Sequence, residues 1–293
     1  MKTIKVILSF AVTVTLAKAT VAGTACTASS KYSDHTSTDS ATYSESEDGY
    51  CTITPDSMKV KIYEFGLCTG ASSPSDKSAC TTLFSSPTGT EIDLAVGLSA
   101  SLTDDVSLAE GSYSNGYLVL SNVTSLKASQ TFSSPRTDLD GNSGTICYTN
   151  GRSWDDPNTD SIMTCAASDA AVHSVETIAF GDVDNNLYNN TVPNYTVSVA
   201  GTSVVTDLYM IDSSGTLSTA FSDDFAIYGD QTLTTPVSIT PTTNGLDVGI
   251  SITNGIALGF DDPNAVGSTC ADATNGCPSD ALFMGLKFLV TSN

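Results

Sequence analysis

The chain is 293 residues long and carries 32 aspartates and glutamates against 11 lysines and arginines, a formal charge of −21. That balance excludes a basic nucleic-acid binder, which needs a positive stripe on one face, and it repels acidic membrane surfaces. Charged residues make up only 15% while 41 serines and 41 threonines fill the polar surface, which argues against a helical bundle, yet a 40% hydrophobic content suffices to bury a core.

Residues 1–22 have the build of a secretory signal peptide. Lys2 and Lys5 form a basic start, Val6 to Ala17 an apolar stretch, and small residues follow, with Thr20-Val21-Ala22 and Gly23-Thr24-Ala25 as the expected processing sites. The apolar run is too short to stop in a bilayer, so no integral span is expected in the processed chain. The same segment carries a second pattern. Ile4, Val6, Leu8, Phe10, Val12, Val14 and Leu16 recur at period two, as the residues of one strand face do. Residues 23–50 contain almost no aliphatic side chains and read as a polar, flexible leader.

Eight cysteines follow, an even number behind an export signal, and no CxxC pair that would suggest zinc. Pairing in sequence order gives Cys26–Cys51, Cys68–Cys80, Cys147–Cys165 and Cys270–Cys277 as the disulfides that close the shortest loops. From Met58 onward, alternating apolar and polar residues predict strands at 58–65, 91–98, 116–121 and 125–132, with Ser/Gly/Pro/Asp turns between them. The later half predicts strands at 195–199, 204–211, 232–239, 246–252, 256–260 and 281–291. Asn254-Gly255 is a hairpin signal between two of these, and Asp160 to Ala179 is the one candidate helix. The expected class is all-β: one or two antiparallel β-sandwiches of jelly-roll or immunoglobulin/prealbumin type, stapled by disulfides. The expected division is residues 51–145 for an N-terminal sandwich and 146–293 for a C-terminal β-rich domain.

One run bears a family resemblance. Leu108-Ala-Glu-Gly111-Ser-Tyr113 followed by the hydrophobic strand Gly116 to Leu120 resembles the prealbumin-like sandwich modules of secreted and cell-surface proteins, over residues 51–132. The resemblance implies a surface or stalk module without catalysis.

Catalytic motifs are missing. GxSxG, HExxH and the phosphate-binding glycine motifs do not occur. The two histidines are His35, in the polar leader, and His173, which has Asp169, Ser174 and Glu176 as sequence neighbours. Neighbours in sequence seldom assemble a triad. Paired carboxylates could serve a glycosidase, but 32 acids nominate no pair. Two acidic loops, Asp138-Leu-Asp140-Gly-Asn142 and Asp182-Val-Asp184-Asn-Asn186, place oxygen ligands at alternate positions. They predict weak extracellular calcium binding, with Kd on the order of 10⁻⁴ to 10⁻³ M. Trp154-Asp-Asp-Pro-Asn and Phe260-Asp-Asp-Pro-Asn echo each other, each followed by a Thr-Cys-Ala.

The chain thus fits three functions. The first is a non-catalytic extracellular subunit of a filament or surface layer that exchanges strands, with the N-terminal segment and the 281–291 strand, including Phe283, Leu286 and Phe288, as the exchangeable elements. The second is a carbohydrate- or calcium-dependent ligand-binding module with Trp154 and Tyr188 as contacts. The third is a secreted glycoside hydrolase.

Overall fold

The computed structural model describes residues 2–8, 25–34, 49–95, 103–153, 161–182, 187–199, 202–264 and 268–292. Strands β1 (Lys2–Leu8), β2 (Gly49–Ile53), β3 (Ser57–Cys68), β4 (Cys80–Ala95) and β5 (Thr103–Leu108) come first. They are followed by β6 (Gly111–Ser121), β7 (Val123–Lys127), β8 (Ser129–Thr137), β9 (Ser143–Thr149) and β10 (Met163–Ala166). Next come β11 (Ser174–Thr177), β12 (Gly181–Asp182), β13 (Leu187–Tyr188), β14 (Thr191–Val199) and β15 (Thr202–Ile211). The last are β16 (Ala226–Ile239), β17 (Gly245–Ser251), β18 (Ile256–Asp261), β19 (Cys277–Phe283) and β20 (Lys287–Ser292). Among the described residues there is no α-helix, only short 3-10 turns.

An eight-stranded antiparallel sheet runs β11-β7-β3-β6-β16-β15-β14, with β4 also paired to β3. Its curl follows from β3, which changes partner along its length. Ser57 to Lys59 pair with β7, Ile62 to Cys68 pair with β6, and β4 follows β3 along both stretches. Register shifts after Ile62 mark bulges that bend the strand. Smaller sheets of order β20-β17-β1-β5, β10-β9-β8 and β19-β18-β2 and the two-stranded β12-β13 complete the described fold. One hydrophobic core joins Phe65 and Leu118 of the first half to Ile250 and Phe260 of the second. The large sheet takes strands from both halves, and the boundary expected at 145/146 falls inside β9. The two expected units therefore share one sheet.

Alternation located the strands, and several joins differ from expectation. The helix expected over 160–179 is not formed where the chain is described: β10 and β11 lie there instead. Its valines, serines and threonines are weak helix formers, and Met163 and Cys165 alternate inward on a strand. The 125–132 strand is two, parted at Ala128, whose backbone bonds Thr149 from both sides. β7 and β8 then join different sheets. Asn254-Gly255 forms a turn, with Asn254 at φ 57° and the Gly255 N–H bonded to the Ile252 carbonyl at 2.9 Å. The turn makes no hairpin, because β17 and β18 belong to separate sheets.

All four disulfides have the expected pairing. Two are direct cross-strand links, Cys68 opposite Cys80 and Cys147 opposite Cys165. Cys26–Cys51 ties the 25–34 segment to β2, where the Cys26 N–H also bonds the Thr52 carbonyl at 2.9 Å. Part of the expected polar leader is thereby fastened to the fold. In β9, three residues before Cys147, Gly144 permits a very close approach. A Cβ there would sit 1.9 Å from the Ala166 carbonyl carbon, and backbone cannot yield as a side-chain tip does. Gly144→Ala is expected to cost about 3 kcal/mol, the upper end of over-packing, read as a lower urea midpoint at unchanged slope.

Candidate strand-exchange site

β1 is an outsider by position and by direction. It lies between β17, to which it runs parallel, and β5, to which it runs antiparallel. Its ladder to β17 is the one parallel pairing among the described strand ladders. The register sets Val6 opposite Leu246 and Leu8 opposite Val248, and both partners are fully buried. On the other side Ile4 stands opposite Val106 and Lys2 opposite Leu108. The alternation of residues 2–8 is thus in phase with the core-facing alternation of β17, which is what fixes a strand's register. Among the described strands β5 has no other ladder partner, and β17 has otherwise only β20. Lifting β1 out would expose two facing strand edges across a one-strand gap.

The expected exchangeable strand over 281–291 has a different form. It is two strands, β19 and β20, in different sheets, bent at Met284-Gly285-Leu286. Phe283 and Leu286 are buried, and Phe288 lies opposite Ile250 on β20, at the rim of its sheet.

His35 lies outside the described residues, whereas His173 has found a serine and an aspartate distant in sequence. Its Nε2 lies 2.9 Å from Ser57 Oγ, and Ser57 Oγ donates to Asp93 Oδ1. The order is Asp–Ser–His, with the hydroxyl at the centre. A nucleophile needs the imidazole between the other two, so that it can take the serine proton. Here that proton is directed to Asp93, and His173 Nε2–H donates to the serine oxygen. Burial, reinforced by Lys59 and by Lys127, holds the imidazole below its ordinary pKa. A lowered folded-state pKa means that the unfolded chain takes the proton first. This contribution to stability is complete above the ordinary imidazole value of about 6.5 and is lost as pH falls from there through the lowered folded-state value. His173→Asn is expected to flatten the urea midpoint against pH between about 7 and 5. An unchanged profile would remove His173 from that linkage.

Asp138 is buried and already occupied: Oδ1 accepts the Asn142 N–H at 2.8 Å and Oδ2 accepts the Cys165 N–H at 2.9 Å. The Asn142 side-chain amide donates to the same carboxylate, and Asp140 pairs with Arg152 at 2.6 Å. That loop uses its oxygens to fasten the β8–β9 connection to β10. Asp182 ends β12, while Asp184 and Asn186 lie outside the described residues. Among the described residues no three His, Cys, Asp or Glu side chains group closely enough to hold a metal. Trp154 also lies outside the described residues, as does the first acidic echo. The echo's cysteines are not equivalent, since Cys165 joins Cys147 and Cys270 joins Cys277. Tyr188 donates to Asp224 Oδ1 at 2.6 Å and packs edge-on against Phe221.

A polar network on the outer face of the large sheet was not expected. Tyr117 and Tyr228 stack there at 5.4 Å, both fully buried, and Tyr117 donates to Glu64 at 2.5 Å. Lys77 reaches over both rings to Glu64 at 2.7 Å, and Ser72 donates to the buried Asp230 at 2.9 Å. Burial pushes Glu64 up, but the bonds from Lys77 and Tyr117 outweigh it and the carboxyl lies below its ordinary value. Asp230 lies above its own, because burial outweighs the bonds from Ser72 and Asn115. Burial also raises both phenols. The one sequence signal for this face is the run of alternate polar and aromatic positions at Asn115, Tyr117, Tyr228 and Asp230.

No protein-family model, no curated protein and no solved structure matches this chain. No helix among the described residues is long and apolar enough to cross a membrane.

Proposed function

We propose that the protein is an exported, non-catalytic structural subunit that assembles by strand exchange at the slot between β17 and β5. One observation carries this proposal: the strand filling the slot, residues 2–8, lies within the segment that has the build of a removable export signal. Removal of residues 1–22 would leave a fold short of one interior strand. A neighbouring copy then supplies a strand of alternating apolar residues, which repairs the sheet and links the two molecules. Because donor and acceptor surfaces differ, the contact is head-to-tail and grows into a filament. Four disulfides and a hydroxyl-rich, acidic surface suit an extracellular location. The opposed edges of β5 and β17 need backbone pairing from a donor, with no cofactor.

The test has two parts. The amino terminus of the exported protein is read by mass spectrometry, and the exported material is imaged unheated and unreduced by negative-stain electron microscopy. Processing between residues 22 and 25 together with filaments supports the proposal. Filament growth should stop when a peptide of residues 2–8 is added in excess, and a scrambled peptide should leave it unchanged. An exported protein that retains residues 2–8, or processed protein that stays monomeric, would overturn it.

A further inference from the structure

The concave face of the large sheet does not close on its cover. Between β6, β15 and β16 on one side and the Met284-Gly285-Leu286 bend on the other lies a cavity of about 600 Å³ counting its open mouth. Its walls are almost wholly apolar, with Leu118, Ile227 and Phe180 among them, and Gln231 and Thr206 supply the polar side chains. Two features keep it open. The bend is pinned from both sides: the Gly255 carbonyl accepts the Met284 N–H at 2.9 Å, and Tyr195 donates to the Met284 carbonyl at 2.5 Å. The floor, in turn, has a side chain missing. Along β16, Ile227, Gly229 and Gln231 face the cavity in alternation, and the middle one is glycine. Gly229 is absent from the residues with positive φ, so no backbone conformation demands a glycine there. A Cβ would meet only Leu208 and Thr206 methyl groups at 3.4 Å, an ordinary contact. Glycine inside a strand weakens it, and a common reason to keep one is the close approach of a ligand.

We infer that this cavity binds a small neutral molecule, mainly hydrocarbon; the Gln231 amide at its wall is already engaged, donating to Thr206 Oγ1 at 3.5 Å and to the Leu286 carbonyl at 3.4 Å. A charged ligand is excluded by the lining, which offers no counter-charge to offset its desolvation. The probe is N-phenyl-1-naphthylamine, a neutral aromatic amine that fluoresces on leaving water, titrated into the full chain. Saturable binding at one probe per chain is expected. Gly229→Leu fills the floor and should weaken it at least tenfold, with a melting temperature no lower than wild type. Gly229→Ala, which adds one methyl group at ordinary contact distance, keeps the test valid if the leucine variant does not fold, and should weaken binding about threefold. Absent or non-saturable fluorescence in the wild type would overturn the inference. So would binding unchanged in a folded glycine variant.

Discussion

Shortening the chain to residues 23–293 is expected to remove about 5 kcal/mol or more of folding free energy from the isolated molecule. β1 makes six registered pairs with β5 and four with β17. A ladder hydrogen bond contributes about 1 kcal/mol net, and more is lost where a buried partner is left unpaired. Total stabilities lie at about 5–15 kcal/mol, so the shortened chain would sit near the threshold of folding. Two ways out exist, self-association or rescue by an added strand, and both have a readout. Thermal melts of the shortened chain should depend on concentration, and a peptide of residues 2–8 should restore the full-length melting temperature. Val6→Pro in the full chain removes a donor from an interior strand and should reproduce the loss. A shortened chain that melts like the full one, at every concentration, would show that β1 contributes nothing to the fold and would leave strand exchange without a driving force.

What the sequence disclosed and what it withheld divide along a physical line. Period-two alternation is local, and it marked β3, β15 and β17 to within three residues at each end but caught only the later halves of β6 and β16. The disulfide pairs were legible because each closes a short loop, and two of them bridge adjacent strands of one sheet. Partner choice is another matter. A strand's pattern says which residues face inward, but not which of the twenty described strands lies beside it. Nothing in Asn254-Gly255 says that β17 and β18 part company, and the local mark of the bend in residues 281–291 is Gly285 alone, which takes φ 146° there. Ser57, Asp93 and His173 meet only because β3, β4 and the entry to β11 converge at one end of the large sheet. The phase match between residues 2–8 and β17 was half visible: the alternation could be read, but its partner, more than two hundred residues away, could not.

The disulfide with the largest expected effect is Cys68–Cys80, because it holds in place a loop that covers buried polar groups. Closing the 12-residue separation contributes about 3 kcal/mol by chain entropy. The loop carries Ser72, which lies 2.6 Å from the Tyr228 hydroxyl and donates to Asp230, and Lys77, which neutralises Glu64. Asp230 also takes the Asn115 amide at 3.0 Å and the Ser72 backbone N–H, so losing the Ser72 hydroxyl strips one bond from a buried carboxylate. Such a loss costs about 1–3 kcal/mol where water stays excluded. Once the loop is free to lift, water reaches Asp230 and the same deletion costs little. The paired replacement Cys68→Ala with Cys80→Ala should therefore lower stability by about 3 kcal/mol, measured by urea unfolding. Ser72→Ala should cost at least 1 kcal/mol in the oxidised protein and markedly less in the cysteine-free background. Strictly additive losses in that double-mutant cycle would mean that the loop stays seated without its disulfide, and that the bond acts on the unfolded chain alone.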